Sequence, residues 1–412
     1  MTNSVSETIR PNYMQKFQCI GAACEDSCCA GWRVVFDKRT AQSYLDAKDN
    51  EIREIANKSI KKIKTDRSSQ KHSFIQMSPQ TGACPFLQTD KLCMIQGKMG
   101  EKALSNVCST YPRHPGGVAG QLIEVATLSC PEAARLCLLD PDAMKLGQKK
   151  ISLVDPLSFT KVPPKLTPLQ YLHQSAVEML EDDRVSIIEF VLVYGSALNI
   201  LRKHPDDTFR ENRRFGEMQG IITAVRKSLS DTQANTLQSR EAIQFQLGKI
   251  LPILVRHARN NLLTNQRFLQ SVFDALNGIN LDTSDLNKSV ERYTRTIADL
   301  SPSDRLVLLS GLRNYLINDL LKNAGRFMNS PDDALGSLQD AVARLSLITV
   351  LVIGARALKP DFNIEERLTL AVSSTARAFE HKSAVMVEII TYLDDIEKKS
   401  VAVLGLITPR LE

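Results

Sequence analysis

The residues with the clearest chemical potential are nine cysteines, and all of them lie between Cys19 and Cys137. The remaining two-thirds of the 412-residue chain has none. Thiolates bind soft metal ions and iron–sulfur clusters, and short spacing along the chain lowers the cost of ordering such a site. Eight of the nine lie among Gly, Pro, Asp and Ser, and we predict that they are metal ligands: Cys19, Cys24, Cys28, Cys29, Cys84, Cys93, Cys108 and Cys130.

Other uses of these thiols are weighed against a metal site. Disulfides are disfavoured because the count is odd, Cys28 and Cys29 are adjacent, and residues 1–16 lack the apolar stretch of a secretory signal. A buried free thiol suits Cys137, which lies in the apolar run 134–139. Structural zinc stays open, although paired Cys-x2-Cys knuckles are missing, and an iron–sulfur cluster is favoured. One cubane uses four thiolates, so two sites, or one cluster with spare thiols, both remain open.

The elements that must position these thiols indicate a mainly α protein. We predict a small cysteine-rich cluster-binding domain at 1–141, a linker at 142–166 and an all-α helical bundle at 167–412. In the cysteine-rich part, residues 31–37 read as a short strand and residues 40–64 as a helix.

Helix start signals recur in the second part of the chain. Thr167-Pro168, Ser301-Pro302 and Ser330-Pro331 each place an N-cap residue before a proline, and apolar periodic runs follow, among them 306–321 and 335–353. By contrast, the glycine-rich stretch 116–120 lacks a preceding strand and a following helix. It is therefore interpreted as a flexible loop and not as a dinucleotide-binding turn.

Composition argues against several classes of function. The chain is 43% hydrophobic and 24% charged, as in ordinary globular proteins, and its net charge is +6. Basic residues are scattered and aromatic residues are only 6%, so we predict no nucleic-acid partner. The apolar run Leu345 to Ala355 is too short to cross a membrane and reads as a buried helix. We therefore expect a cytoplasmic protein without a membrane partner, and the oligomeric state stays open.

Several motifs in fixed order make the first third of the chain resemble the flagellin lysine N-methylase family. Its N-terminal part is also similar to zinc- or iron-chelating cysteine-rich domains. The motifs are Cys19 with Cys24 and Cys28-Cys29-Ala30-Gly31-Trp32, then Cys84-Pro85-Phe86-Leu87, Cys108-Ser109-Thr110-Tyr111-Pro112-Arg113 and Ser129-Cys130-Pro131-Glu132. The resemblance implies transfer of methyl groups from S-adenosyl-L-methionine to lysines of flagellin in the cytoplasm, with a [4Fe-4S] cluster involved and zinc as the alternative metal.

The cysteine spacing bears on the type of chemistry. Radical S-adenosylmethionine enzymes use Cys-x3-Cys-x2-Cys, whereas here Cys24-x3-Cys28 is followed at once by Cys29. A neutral lysine amine can take a methyl group from a sulfonium directly, so polar transfer is favoured. A metal-binding interaction protein without catalysis is the alternative function, and a nucleic-acid binder is the least supported reading.

Polar transfer requires that the target lysine loses its proton, by desolvation or to a nearby base. Residues that could take part lie beside the cysteine motifs, and we predict the catalytic residues Tyr111, Arg113 and His114. Further candidate bases are Asp37, Glu25 and Asp26. The sequence identifies no residues for binding S-adenosylmethionine.

Overall fold

The computed structural model describes most of the chain. The residues outside the described part are 1–6, 65–67, 69–70, 119–120, 151–166, 204–219, 221–222, 225–226, 228–239, 260–265, 283, 380–387, 389–390, 392–403, 406–407, 410 and 412. Most of the predicted linker therefore lies outside the described residues. The predicted boundaries of the domains stay predictions.

Helices dominate the described residues, and the prediction of a mainly α protein is confirmed. A π-helical turn at 246–250 separates two of them. The helices are α1 Asn12–Lys16, α2 Lys38–Leu45, α3 Asn50–Ser59, α4 Met94–Met99, α5 Asn106–Thr110, α6 Pro131–Leu139, α7 Pro168–Glu181, α8 Ile187–Lys203, α9 Arg240–Phe245, α10 Leu251–Arg259, α11 Gln266–Ile279, α12 Leu286–Ala298, α13 Pro302–Lys322, α14 Ala324–Phe327, α15 Pro331–Leu358 and α16 Ile364–Phe379.

Two small sheets lie in the first part of the chain. Their strands are β1 Glu7–Pro11, β2 Val35–Phe36, β3 Ile60–Lys62, β4 Ser73–Ile75, β5 Arg113–Val118, β6 Gln121–Ala126 and β7 Leu146–Lys150. One sheet has the order β5-β6-β1-β7, with β1 parallel to β6 and the other pairs antiparallel. The other sheet is antiparallel with the order β2-β4-β3.

The sheets correct two predictions. The predicted strand at 31–37 is confirmed only for Val35–Phe36. The predicted flexible loop at 116–120 is wrong where it is described, because Gly116 and Gly117 belong to strand β5. A Cβ atom at Gly116 would lie 2.3 Å from the carbonyl oxygen of Leu321. Glycine at this position therefore lets the strand approach helix α13 closely. In addition, strand β7 lies within the stretch predicted as a linker.

The single helix predicted at 40–64 is also wrong. Two helices, α2 and α3, occupy this stretch, and the chain enters strand β3 at Ile60. The carboxylate of Asp37 caps α2 by accepting from the Thr40 N–H, and that of Asp49 caps α3 by accepting from the Ile52 N–H. The apolar periodicity continues from α2 into α3, and this is why the sequence predicted a single helix. Asp49, however, is an N-cap residue and marks the start of a second helix.

The predicted helix starts in the second part of the chain are confirmed. Thr167 and Gln170 form a reciprocal capping box on α7. The Ser301 hydroxyl caps α13 and the Ser330 hydroxyl caps α15, each with proline at the first turn. These caps satisfy backbone N–H groups that have no partner within the helix.

Buried apolar side chains form two cores. The larger core combines the helices from α7 onward with residues from both ends of the cysteine-rich part, such as Tyr13, Ile123 and Leu138. The smaller core contains buried residues between Val34 and Ile95, and several cysteines border it. The segment with this smaller core, residues 18–111, is called the thiol lobe below.

Helix α15 runs through the larger core. By length and composition it could cross a membrane, but 83% of its most apolar window is buried inside the protein. The run from Leu345 to Ala355 is thus a core helix, as the sequence indicated.

Candidate thiol site

Backbone pairing brings four distant cysteines together in the thiol lobe. Ala30 bridges Ala83 in antiparallel fashion, and the Cys84 N–H donates to the Cys29 carbonyl at 2.7 Å. A second bridge joins Leu87 to Cys93. As a result, the Cys28-Cys29 segment, Cys84 and Cys93 converge on one region, although 64 residues separate the first from the last.

Cys108 completes this group, which is called the main thiol group below: Cys28, Cys29, Cys84, Cys93 and Cys108. Burial raises the pKa of the Cys84 thiol to about 12, and the nearby thiols of Cys108 and Cys93 add to the rise. Burial likewise raises the pKa of the Cys108 thiol, with Cys93 contributing. These mutual effects show that the thiols lie within electrostatic reach of one another.

Cys29 links two thiols that are acidic near neutral pH. Hydrogen bonding with the Cys29 thiol lowers the pKa of Cys93 to about 6 and that of Cys28 to about 7. The pKa of Cys29 itself is raised by the same two partners. Cys93 also stands at the N-cap of α4, where backbone N–H groups favour a thiolate. Thiolates are the form that binds metal.

Three further predicted ligands, Cys19, Cys24 and Cys130, lie together in a second group, apart from the main thiol group. Burial raises the pKa of Cys130 to about 12, and Cys24 and Cys19 are the thiols that contribute to this rise. Cys130 is the N-cap residue of α6, and Cys19 is exposed. The grouping in space therefore differs from proximity along the chain, which would join Cys19 and Cys24 to Cys28.

The ninth cysteine is not part of either group. Cys137 has no exposed surface and lies on α6 within the larger core. Its Sγ lies 3.8 Å from the Met144 Sδ. The predicted buried position of Cys137 is confirmed, and its role as a packing residue stays a prediction.

A metal would find donors of the right type in the main thiol group. Five cysteines without an intervening His or carboxylate make a donor set that suits zinc or an iron–sulfur cluster. Among the residues that the structure describes, however, no three side chains are already arranged to hold an ion. The thiols would therefore have to move closer together to hold a metal.

Tyr111 lies beside the thiols but is not suited to act as a base. Its hydroxyl is 3.1 Å from the Ser129 hydroxyl, and its ring lies 5.5 Å from that of Trp32. Burial raises the pKa of Tyr111 well above its ordinary value, and the nearby Cys130 adds to the rise. The phenol therefore stays protonated at neutral pH, and a catalytic role for Tyr111 stays a prediction.

Arg113 and His114 do not converge on one point. They are consecutive residues of strand β5, so their side chains point to opposite faces of the sheet. The Arg113 guanidinium lies over the Phe17 ring at 5.5 Å and 3.9 Å from the Glu124 carboxylate. His114 is exposed. Both residues are thus close to the cysteine motifs in the sequence, but the structure does not bring their side chains together in one site.

The three candidate carboxylates all have partners. Hydrogen bonds from Thr40 lower the pKa of Asp37 although burial opposes this change. Glu25 pairs with Arg135 at 2.5 Å. Asp26 pairs with Arg377 at 2.8 Å and with Arg267 at 3.6 Å. Each carboxylate is therefore occupied by a structural contact.

Arg267 and Arg377 are functional candidates that sequence reasoning missed. They lie at the start of α11 and near the end of α16, far along the chain from the cysteines. No local motif surrounds either arginine, so only the fold could reveal their contact with the thiol lobe.

Comparison with known sequences identifies the family. The family described as FliB lysine N-methylase C-terminal domain matches residues 174–404, which is more than half of the chain. The chain belongs to the FliB lysine N-methylase family. The family prediction is thereby confirmed, and with it the prediction of a protein-lysine methyltransferase.

Individual relatives of the FliB family agree with this assignment. The chain is 41% identical over 140 residues to the flagellar biosynthetic protein FliU of Salmonella muenchen, covering 34% of this chain and 82% of the relative. It is 40% identical over 141 residues to lysine-N-methylases of Salmonella typhimurium and Salmonella choleraesuis. That match covers 34% of this chain and 35% of either methylase, about a third of their length. No solved structure matches the chain.

Proposed function

We propose that this protein transfers methyl groups from S-adenosyl-L-methionine to lysine ε-amines of flagellin. The observation that carries the proposal is the match of the FliB lysine N-methylase C-terminal domain over 174–404. The name of the flagellar relative, FliU, favours flagellin as the substrate. We place the reaction in the cytoplasm, before export of flagellin.

The proposed transfer is polar. The lone pair of a neutral lysine nitrogen attacks the sulfonium methyl carbon, so that a C–N bond forms while the C–S bond breaks. The sulfur keeps the electron pair and leaves as the thioether S-adenosylhomocysteine. The amine proton goes to solvent, because Tyr111 stays protonated and Asp37, Glu25 and Asp26 are paired. The rate should therefore rise with pH until the target lysine is neutral.

We further propose that the main thiol group holds a metal centre, with a [4Fe-4S] cluster favoured and zinc as the alternative. Cys93, Cys28 and Cys29 would form the nucleus of the ligand set, since two of these thiols are acidic near neutral pH. Cys84 and Cys108 are the candidates for a fourth ligand, since a cubane takes four thiolates, or three where one iron is left open. When bound, such a cluster would offer an open iron that chelates the amino and carboxylate groups of the methyl donor, or it would hold the fold.

One experiment tests the reaction. Protein purified without oxygen is first analysed for iron, acid-labile sulfide and zinc, and is then incubated with S-adenosylmethionine and flagellin. Intact-mass spectrometry of flagellin should show additions of methyl groups on lysine without any external reductant. A reaction that needs a reductant and releases 5′-deoxyadenosine would replace the polar mechanism by a radical one.

The same experiment can overturn the enzyme proposal. If metal-loaded protein adds no methyl mass to flagellin with or without reductant, a metal-binding interaction protein remains. Stoichiometric zinc without sulfide would instead refute the proposed iron–sulfur cluster. The proposal of methyl transfer would then be decided by the mass of flagellin alone.

A further inference from the structure

We infer that Arg377, assisted by Arg267, is a positioning residue for the main thiol group. The C-terminal helical part would then help to build the thiol site directly. This inference rests on the thiol part of the proposed function and is independent of methyl transfer. It is carried by the contacts that Arg377 makes on both sides of the Cys28-Cys29 pair.

The guanidinium of Arg377 holds two points of one short segment. Its Nη1 lies 2.8 Å from the Asp26 carboxylate, and its Nη2 donates to the Ala30 carbonyl at 2.6 Å. Asp26 and Ala30 flank the two adjacent cysteines. Because the guanidinium is planar and rigid, these two contacts fix the distance between the ends of the segment.

Hydrogen bonds inside the segment pass this constraint to the cysteines. The second Asp26 oxygen accepts from the Ser27 N–H at 2.8 Å. The Ser27 hydroxyl accepts from the Cys29 N–H at 3.2 Å. A displacement of Asp26 would therefore move the backbone of Cys29, whose carbonyl is the acceptor for Cys84.

The two arginines differ in what they contact. Arg267 reaches the same Asp26 oxygen at the longer distance of 3.6 Å and is 31% exposed, whereas Arg377 is 19% exposed. No contact of Arg267 with the Ala30 carbonyl is found among the described residues. We therefore expect a graded effect, large for Arg377 and small for Arg267, since exposed ion pairs contribute little.

The chain carries its own reporter of this segment. Trp32 is its only tryptophan, and the indole Nε1 donates to the Cys28 carbonyl at 2.6 Å. Tryptophan fluorescence therefore reports on the position of Cys28, while far-UV circular dichroism reports mainly on the helices. The two signals separate a local displacement from global unfolding.

The test compares the protein as purified, carrying Arg377→Met, Arg377→Lys, Arg267→Gln or Asp26→Asn, with Arg184→Gln as the control. Arg184 pairs with Asp182 at the surface and is 89% exposed. Reaction of Cys29, whose side chain is only partly exposed, with iodoacetamide, followed by peptide mass spectrometry, measures how often the segment opens. We expect a rise of about tenfold for Arg377→Met, the size that loss of a charged hydrogen bond produces.

The variants should fall into an order. Arg377→Lys keeps the charge but loses the two-point contact of the guanidinium. Its alkylation rate should therefore lie between those of wild type and Arg377→Met. Trp32 emission should shift for Arg377→Met and Asp26→Asn, whereas Arg267→Gln should change little and Arg184→Gln not at all. After reconstitution with ferrous iron and sulfide, or with zinc ions, Arg377→Met should retain less metal than the control.

Several outcomes would overturn the inference. Unchanged alkylation rates and Trp32 emission in a folded Arg377→Met protein would do so, as would equal effects of Arg377→Met and Arg184→Gln. If Arg377→Met does not fold, Arg377→Lys and Asp26→Asn decide by the same two readouts. A wild-type protein that binds no metal would refute the proposed metal centre and leave the alkylation test of positioning intact.

Discussion

The thiol lobe and the larger core differ in what fills the space between their elements. The larger core packs mainly apolar side chains around α15, whose central residues are nearly all buried, together with a buried ion pair between Arg344 and Asp319. The smaller core has few fully buried side chains and is bordered by the partly buried thiols of Cys84, Cys93 and Cys108. Small cores often need a metal or covalent links for stability. From this comparison we expect that packing stabilises the helical part, whereas the proposed metal centre stabilises the thiol lobe.

Metal removal should give the largest effect and should be confined to one region. We expect that chelation of metal-loaded protein destabilises the thiol lobe by several kcal/mol, since binding free energy at thiolate sites is also folding free energy. The unfolding transition followed by Trp32 fluorescence should then lose its cooperativity. The unfolding transition followed by far-UV circular dichroism, which reports on the helices, should be largely retained. A common, unchanged transition for both probes would contradict this division.

Overpacking of the larger core should come next. A Cβ atom at Gly278 would lie 1.8 Å from the Gly354 carbonyl oxygen, where α11 crosses α15. Gly278→Val must push the two helices apart, and we expect a loss of about 3 kcal/mol or more in unfolding free energy. Gly336→Ala on α15 is the control, because its Cβ meets nothing within 4 Å and alanine should add about 0.5–1 kcal/mol. Urea titration measures both.

A buried histidine should make the larger core sensitive to acid. His173 hydrogen-bonds the Leu320 carbonyl at 3.0 Å through Nε2 and is fully buried. Burial lowers the pKa of His173 to about 4. The unfolded chain binds a proton below about pH 6.5 and the folded protein does not, so stability falls by about 3 kcal/mol as the pH drops from about 6.5 to 4.

The pH slope can be assigned to this residue by substitution. His173→Leu should flatten the dependence in that window, measured by urea titration at a series of pH values. An identical slope in His173→Leu would show that other groups cause the acid sensitivity.

Matched tyrosines allow a smaller test across the two cores. In the larger core, the Tyr13 hydroxyl donates to Asn318 at 2.5 Å and accepts from the Ala126 N–H at 2.6 Å. In the smaller core, the Tyr44 hydroxyl donates to the Ala103 carbonyl at 2.6 Å. Tyr13→Phe should cost about 1–3 kcal/mol by leaving two buried groups unpaired. Tyr44→Phe should cost less and should shift only the transition seen by Trp32 fluorescence.

The smallest effect on metal content is expected at Cys137. Its thiol is fully buried in the larger core, beside Met144 and the Asn314 carbonyl. Cys137→Ser should cost about 1–3 kcal/mol in unfolding free energy, because the hydroxyl is harder to bury. The bound metal, measured by elemental analysis, should not change. Loss of metal in this variant alone would show that Cys137 is a ligand.

The sequence predicted those features that depend on local chemistry. Caps such as Thr167 and Ser330 announce helices because a side-chain oxygen satisfies the nearest backbone N–H groups. The buried position of Cys137 followed from its apolar neighbours. The sheets were missed because their pairings are long-range, as between Ile9 and Ile123, and because glycines in β5 resemble a loop.

The candidate site was predictable in residue type but not in arrangement. Cysteine spacing along the chain suggested that Cys24 belongs with Cys28, whereas the fold places it near Cys130. Arg113 and His114 looked like neighbours of one site until strand pairing sent them to opposite faces. The contact of Arg377 with the thiol lobe depends on tertiary packing across 347 residues, which no local pattern encodes.

The pairing of β1 has a consequence for the order of events during synthesis. Strand β1 lies beside β6 and β7, whose residues leave the ribosome more than a hundred positions later. All the cysteines of the thiol lobe are therefore made before the sheet that joins its two ends can close. In the nascent chain these thiols lie on a loop whose two ends are not yet joined. The loop closes only after β6 and β7 have been made, so any ligand that the thiols bind early is already in place when the two ends meet.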